Sequence, residues 1–300
     1  PMHRSLYNTS TGNESTPREF PNSITGWLDG SMIYGSSFSD SSWLREWRHG
    51  KMKTTYTEQG EFLPLASEGD NSTPSVSFVG FSSSERYVAG DPRANEHAAL
   101  TAMHVIFLRE HNRIAEEIVS YDNTLTDSEV YQIARKINTA QVQSITYNEY
   151  IPSLGIVLPA YSGFNNSTDP RISNEFATLA FRMGHSQITE QTLRLDNQFD
   201  EHWAGHRNLS DGFWNPSEMI ATGGVGPVLR GAAWATQAAN DIYTVHDMRN
   251  SMFGEPGFGG LDMCAIDIQR GRDHGLPDYN SIRESLGLSR ISNWSEITDD

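Results

Sequence analysis

Arg93 and Glu96 stand three residues apart in AGDPRANEHAALTAMHVIF, directly before a long apolar run. A charged pair heading into a core must find a partner there, because an isolated buried charge is too costly. The alternative is a surface cluster in which Glu96 favours the positive end of the following helix. His185 sits beside Gly184 on an apolar stripe, as a satisfied core histidine or as a ligand to which a flat group gains access over the bare glycine. Asp267 and Arg270 lie one helical turn apart and could pair with each other. Thr25, the Trp27 carbonyl, Asp29 and Ser31 repeat oxygen at every second position. In an extended loop such groups can wrap a hard cation that takes six to eight oxygens, although one carboxylate alone is little charge for calcium. Asp29-Gly30 between short apolar runs is equally a hairpin signal. His97, His104 and His111 recur at seven-residue steps, but no HExxH or similar ligand-plus-base pattern accompanies them, so a helical metallohydrolase is disfavoured.

The elements that must position these groups are mostly helical. Leu100, Met103, His104, Phe107, Leu108, His111, Ile114, Ala115 and Ile118 share one face of a long helix, with Arg109, Glu110, Arg113, Glu116 and Glu117 opposite. Thr126 and Glu129 form a capping box, and Val130, Ile133, Ile137, Ala140 and Ile145 continue a second helix to about Tyr150. A short helix is expected over 39–49, another over 171–188 with Ile172, Phe176, Leu179, Ala180 and Met183 inward, and one over 241–253. Residues 1–22, 50–90 and 205–227 read as loop. The helix in LDMCAIDIQRGRDHGLPDYN should stop at Gly275, with Pro277 two residues beyond. Strand signals are sparse, and the 300 residues read as a single, mainly α domain.

A net charge of −16 argues against a nucleic-acid partner, since no basic stripe exists to displace counterions. No apolar run approaches the length of a transmembrane span. One cysteine, Cys264, excludes an internal disulfide framework. Asn8, Asn13, Asn71, Asn165, Asn166, Asn208 and Asn293 each open an N-x-S/T sequon, which leans toward a secreted protein.

Four segments, in order, resemble the animal haem peroxidases of the peroxidase-cyclooxygenase superfamily: SITGWLDGSMIYGS, AGDPRANE with the helix after it, AFRMGHSQI, and IDIQRGRDHG. ITYNEYIPSLG is also close to the family pattern, so the resemblance spans nearly the whole chain. It implies the animal haem-peroxidase fold. It also implies an enzyme that uses hydrogen peroxide to oxidise halide, thiocyanate or small aromatic donors through a ferryl intermediate. Its cofactors would be haem b and calcium. On this resemblance Arg93 is the distal arginine, and Glu96 is the carboxylate that esterifies a haem methyl. His185 becomes the axial ligand of the haem iron. Arg182 and Arg270 would face the haem propionates. Thr25, Trp27, Asp29 and Ser31 would bind calcium.

The departures from the family are specific. His97 replaces a methionine that forms a sulfonium link in myeloperoxidase, so at most one covalent haem link is expected from this chain. Asp267 replaces the asparagine that usually accepts from the proximal histidine. A carboxylate accepts more strongly, which should lower the ferric/ferrous potential. The Q-x-x-D-H-D motif that carries the family's distal histidine does not occur. The expectation is therefore a domain incomplete at both ends, beginning after that motif and stopping at TDD before the family's last helices. That absence keeps a second expectation open, a non-catalytic peroxidase-like domain for haem binding or adhesion. A fatty-acid dioxygenase would need a radical-forming tyrosine motif after His185, and none is found.

Overall fold

The computed structural model describes residues 3–77, 86–254 and 260–297. Pro1 and the TDD end therefore lie outside the described residues. The chain is mainly helical. Its helices are α1 (Ser31–Tyr34), α2 (Phe38–Trp43), α3 (Ala98–Tyr121), α4 (Asp127–Ile145), α5 (Ile151–Ser153), α6 (Asn174–Thr178), α7 (Leu209–Gly212), α8 (Glu218–Ala221), α9 (Val225–Trp234), α10 (His246–Asn250), α11 (Met263–Asp273) and α12 (Tyr279–Ser285). Two small antiparallel hairpins complete it: β1 (Thr55–Thr57) with β2 (Gly60–Phe62), and β3 (Gln191–Thr192) with β4 (Arg207–Asn208).

The long helix α3 is the centre of the main core. His97 caps it, its Nδ1 accepting from the Ala99 amide at 3.2 Å. The face it buries is Ala98, Thr101, Ala102, His104, Val105, Leu108, His111, Asn112, Ile114 and Ala115. Leu100 and Met103, expected inside, are exposed, as are Ile133, Ile137 and Ile145 on α4. Alanines allow close approach, and the buried Thr101, His111 and Asn112 side chains bond to backbone and hydroxyl partners, so polar residues share the buried face, while among the described residues His104 bonds the Leu100 carbonyl through Nδ1 alone. The expected capping box is present, with Thr126 and Glu129 exchanging bonds across the first turn of α4.

A buried polar network joins four segments. Nε2 of His111 meets the Gly50 carbonyl at 2.9 Å. A carbonyl only accepts, so Nε2 carries the proton and Nδ1 must accept from the Tyr34 hydroxyl, 2.9 Å away. Asn138 on α4 donates to the same Tyr34 oxygen at 2.9 Å. Burial pushes the His111 imidazole from 6.5 down to about 4, and the Arg45 and Arg135 charges act in the same direction. The unfolded chain therefore takes a proton that the folded chain refuses. The His111 contribution to stability is complete above about pH 6.5 and falls by about 3 kcal/mol as pH drops to 4. Denaturant melts of wild type and His111→Gln across that window should differ by this slope. Parallel pH profiles would show that His111 is not held neutral.

Several expected boundaries are corrected. Of residues 39–49 only 39–43 are helical, within the short α2, and the chain then turns through positive φ at Trp47 and His49. The 50–90 stretch contains the β1–β2 hairpin, part of it (78–85) lying outside the described residues. Residues 171–188 are not one helix. α6 ends at Leu179, whose backbone leaves the helical region, and a 3-10 turn covers Ala180–His185. Its expected inward stripe is outward, with Ile172, Phe176 and Leu179 exposed. The helix expected over 241–253 shrinks to α10. The 205–227 stretch is not all loop, since it contains β4, α7, α8 and the start of α9.

Candidate haem site

The segment before α3 is built by turns. The Asp91 carboxylate accepts from the Arg93 amide at 2.8 Å, and the Glu96 amide donates to the Arg93 carbonyl at 2.9 Å. This folding brings the Arg93 guanidinium onto Glu96 in a fork, Nε to Oε2 at 2.6 Å and Nη2 to Oε1 at 2.9 Å. Glu96 is only 7% exposed, so it is not a surface dipole cluster. Arg93 lies outward of it and supplies the buried carboxylate with its partner. The Glu96 bond holds the Arg93 guanidinium above its ordinary pKa.

The second group forms where the 3-10 turn meets α11. His185 Nδ1 lies 2.5 Å from Asp267 Oδ2, and Arg182 Nη1 lies 2.6 Å from Asp267 Oδ1. Burial works to raise the Asp267 pKa, but the His185 and Arg182 hydrogen bonds outweigh it and hold the carboxyl below its ordinary value. An ionised carboxylate accepts only, so Nδ1 of His185 carries a proton, and it is the neutral ring of this tautomer whose Nε2 offers a lone pair. Among the described residues no hydrogen bond engages Nε2. A Cβ on Gly184 would meet nothing nearer than Gln187 Oε1 at 3.9 Å, so the backbone beside the imidazole is open to a flat group. A neutral imidazole with one nitrogen anchored on a carboxylate and the other free is a metal-ligand arrangement. The donor set fits haem iron.

The remaining residues fall into place unevenly. Asp267 does not pair with Arg270. Arg270 instead reaches the His3 carbonyl at 3.1 Å and Ser5 Oγ at 2.8 Å, with Asp273 at 3.6 Å. Arg182 is committed to Asp267. No hydrogen bond or ion pair among the described residues joins the Arg93–Glu96 pair to the His185 group. One link does tie their neighbourhoods: His97 Nε2 meets Thr192 Oγ1 at 3.1 Å, beside a cavity of about 230 Å³ lined in part by Gln187 and Ile188. Neither Thr192 nor this cavity was visible as a sequence pattern.

The 23–31 loop is not a hairpin. Asp29 Oδ1 accepts from the Ser31 amide at 3.0 Å, Gly30 has φ 73°, and α1 starts at Ser31. Thr25 Oγ1 accepts from the Trp27 amide at 3.1 Å. The loop is held against α4, Gln143 donating to the Leu28 carbonyl at 2.7 Å. His104 and His111 are buried on α3 and make no metal cluster, and no group of three His, Cys, Asp or Glu able to hold a metal occurs among the described residues.

Comparison with known proteins shows the family and the fold. The family model described as animal haem peroxidase matches residues 1–300. Peroxinectin A of Dictyostelium discoideum is 35% identical over 285 residues, covering 93% of this chain and 51% of that protein. Thyroid peroxidase of Sus scrofa is 36% identical, covering 95% of this chain and 32% of that protein. Among solved structures, Peroxidase A from Dictyostelium discoideum superposes with a TM-score of 0.83 at 35% identity, over 91% of this chain and 52% of that one. An Arabidopsis thaliana fatty acid alpha-dioxygenase, at a TM-score of 0.68 and 20% identity over 91% of this chain and 47% of that one, shares the fold alone. The chain thus spans about half the length of its Dictyostelium relative and about a third of the thyroid enzyme. With a matching family model over its full extent and relatives at this identity, the chain belongs to the animal haem peroxidase family.

Proposed function

We propose that this chain forms the haem-holding body of a peroxidase that uses hydrogen peroxide to oxidise halide, thiocyanate or small aromatic donors. The observation that carries this reading is the His185–Asp267 bond, which places a proton on Nδ1 and leaves Nε2 free to offer its lone pair as the ligand nitrogen. When bound, haem supplies the iron at which peroxide is reduced. The chain's own residues do the rest. His185 would bind the iron, and Asp267 would hold its imidazole in one tautomer and raise its basicity. Arg93 would present positive charge toward the oxygen on which negative charge develops. Glu96, buried and forked to Arg93, would be the carboxylate that esterifies a haem methyl. The relatives' names favour this over a non-catalytic role.

The test is reconstitution of the full chain with haemin, followed by peroxide-dependent oxidation of iodide and guaiacol. Arg93→Ala should lower turnover by roughly 10²–10³ while leaving haem bound. Equal turnover in wild type and variant would remove Arg93 from the chemistry.

We further propose calcium at the 23–31 loop, where Thr25, the Trp27 carbonyl, Asp29 and Ser31 offer four of the six to eight oxygens the ion takes. Terbium emission sensitised by Trp27 reports such binding. Asp29→Ala, which removes the loop's one carboxylate, should weaken it at least about tenfold. Emission insensitive to that change counts against the site. An extracellular setting is supported by the seven sequon asparagines, all exposed.

A further inference from the structure

We propose that His274 is a positioning residue for the His185–Asp267 hydrogen bond, acting by clamping three chain segments at the far end of α11. The haem reading above gives that bond its purpose, but the clamp itself is defined without haem.

The segment that carries His185 has little apolar anchorage. Within α6 only Thr178 is buried, and within the 3-10 turn nothing is. Phe176, Leu179 and Phe181 are all about half exposed. On α11 only Met263 and Asp273 are buried. Where burial is this slight, polar ties set the relative placement of two elements.

Those ties sit at both ends of the α6–α11 contact. At one end Asp267 holds Arg182 and His185. At the other, seven residues along α11, His274 Nδ1 meets Asn174 Oδ1 at 2.6 Å, and the Asn174 amide reaches the His274 carbonyl at 3.4 Å. Asn174 opens the segment that leads to His185. The second contact orients the Asn174 amide, so Oδ1 accepts and His274 Nδ1 is the donor.

His274 Nε2 is then the acceptor, taking the Ser5 hydroxyl proton at 2.7 Å. Ser5 Oγ in turn accepts from Arg270 at 2.8 Å, and the Ser5 amide donates to Asp273 at 2.8 Å. Phe20 stacks on the His274 ring, centroids 3.8 Å apart and planes 11° apart. Arg18 adds bonds to the Asp273 carboxylate and carbonyl. One imidazole therefore joins the 3–20 segment, the end of α11 and the start of α6. Burial and the Arg270 charge lower the His274 pKa, in keeping with a neutral ring that donates on one side and accepts on the other.

The experiment uses the full, haem-free chain labelled with ¹⁵N-histidine. The His185 Nδ1 proton, assigned by its loss in His185→Gln, reports the bond to Asp267. His274→Ala should speed its exchange with water about tenfold, the equivalent of about one hydrogen bond. His274→Gln keeps a donor for Asn174 and an acceptor for Ser5, and should restore most of the protection. Asn174→Ala cuts only the arm to α6 and should reproduce the loss, which decides the matter if His274→Ala does not fold. Unchanged exchange in Asn174→Ala, or in a folded His274→Ala whose 3–20 segment has become protease-sensitive, overturns the proposal. A chain that takes up no haem yet shows the accelerated exchange would sink the haem reading and leave the clamp standing.

Discussion

His185→Ala is expected to lower haem affinity at least about 100-fold, beyond the 10–100-fold range typical of losing a partner that only supports a ligand. The reason is geometric. Asp267 fixes a proton on Nδ1, so the neutral ring offers the Nε2 lone pair beside the open backbone at Gly184. Added imidazole should recover part of the haem spectrum, because the missing group is small and the space it leaves is accessible. Asp267→Asn provides the contrast. It keeps an acceptor for Nδ1, so haem is retained within about tenfold. It removes the negative charge, so the ferric/ferrous potential should rise. In this chain the effect has a second component, since Arg182 shares the same carboxylate at 2.6 Å and loses an ionic partner with it. Haem binding unaffected in His185→Ala would remove His185 as ligand. An unchanged potential in Asp267→Asn would show that the carboxylate does not tune it.

What could be read in the sequence follows from which interactions are local. The end of α11 was legible because its signals are consecutive. The Leu276 amide reaches back to the Gly271 carbonyl at 3.0 Å, Gly275 takes φ 66°, and Pro277 prevents continuation. The Thr126–Glu129 capping box was legible for the same reason. The 180–185 turn was not. Its apolar residues recur at helical spacing, but periodicity counts hydrophobic side chains and not what covers them, and here they face outward. His104 and His111 lie on the inward stripe expected from the sequence and are buried there, whereas the burial of Asn112 and Asn138 was hidden for a related reason. Those two asparagines are held inside through partners distant in sequence, Met52 for Asn112 and Tyr34 for Asn138. For the candidate site, motif resemblance singled out Arg93, Glu96, His185 and Asp267 as candidates. It did not show that Arg182 binds Asp267 or that His274 reaches Ser5 and Asn174, because those contacts bridge 85, 269 and 100 residues.

Gly90→Ala is the substitution from which we expect the largest loss of stability, roughly 4 kcal/mol. Nothing in the local sequence marks Gly90, and its φ is not among the positive values that favour glycine. The constraint is space. A Cβ there would lie 2.1 Å from the Ser31 carbonyl oxygen, 2.3 Å from the Gly35 nitrogen and 2.8 Å from the Ile33 carbonyl carbon. All three are backbone atoms of α1 and its cap, so no rotamer change relieves the clash. Relief requires moving the 86–96 segment away from α1, which would break the Asp91 amide bond to the Met32 carbonyl at 3.1 Å and shift the turn that seats Arg93 on Glu96. The same displacement would disturb the loop carrying Asp29 and Ser31. Denaturant unfolding should therefore show the full loss with an unchanged dependence on denaturant concentration. The terbium signal at the 23–31 loop and the Arg93-dependent turnover should decline together, since one backbone contact supports both. A Gly90→Ala protein as stable as wild type would show that the two segments are not packed backbone to backbone.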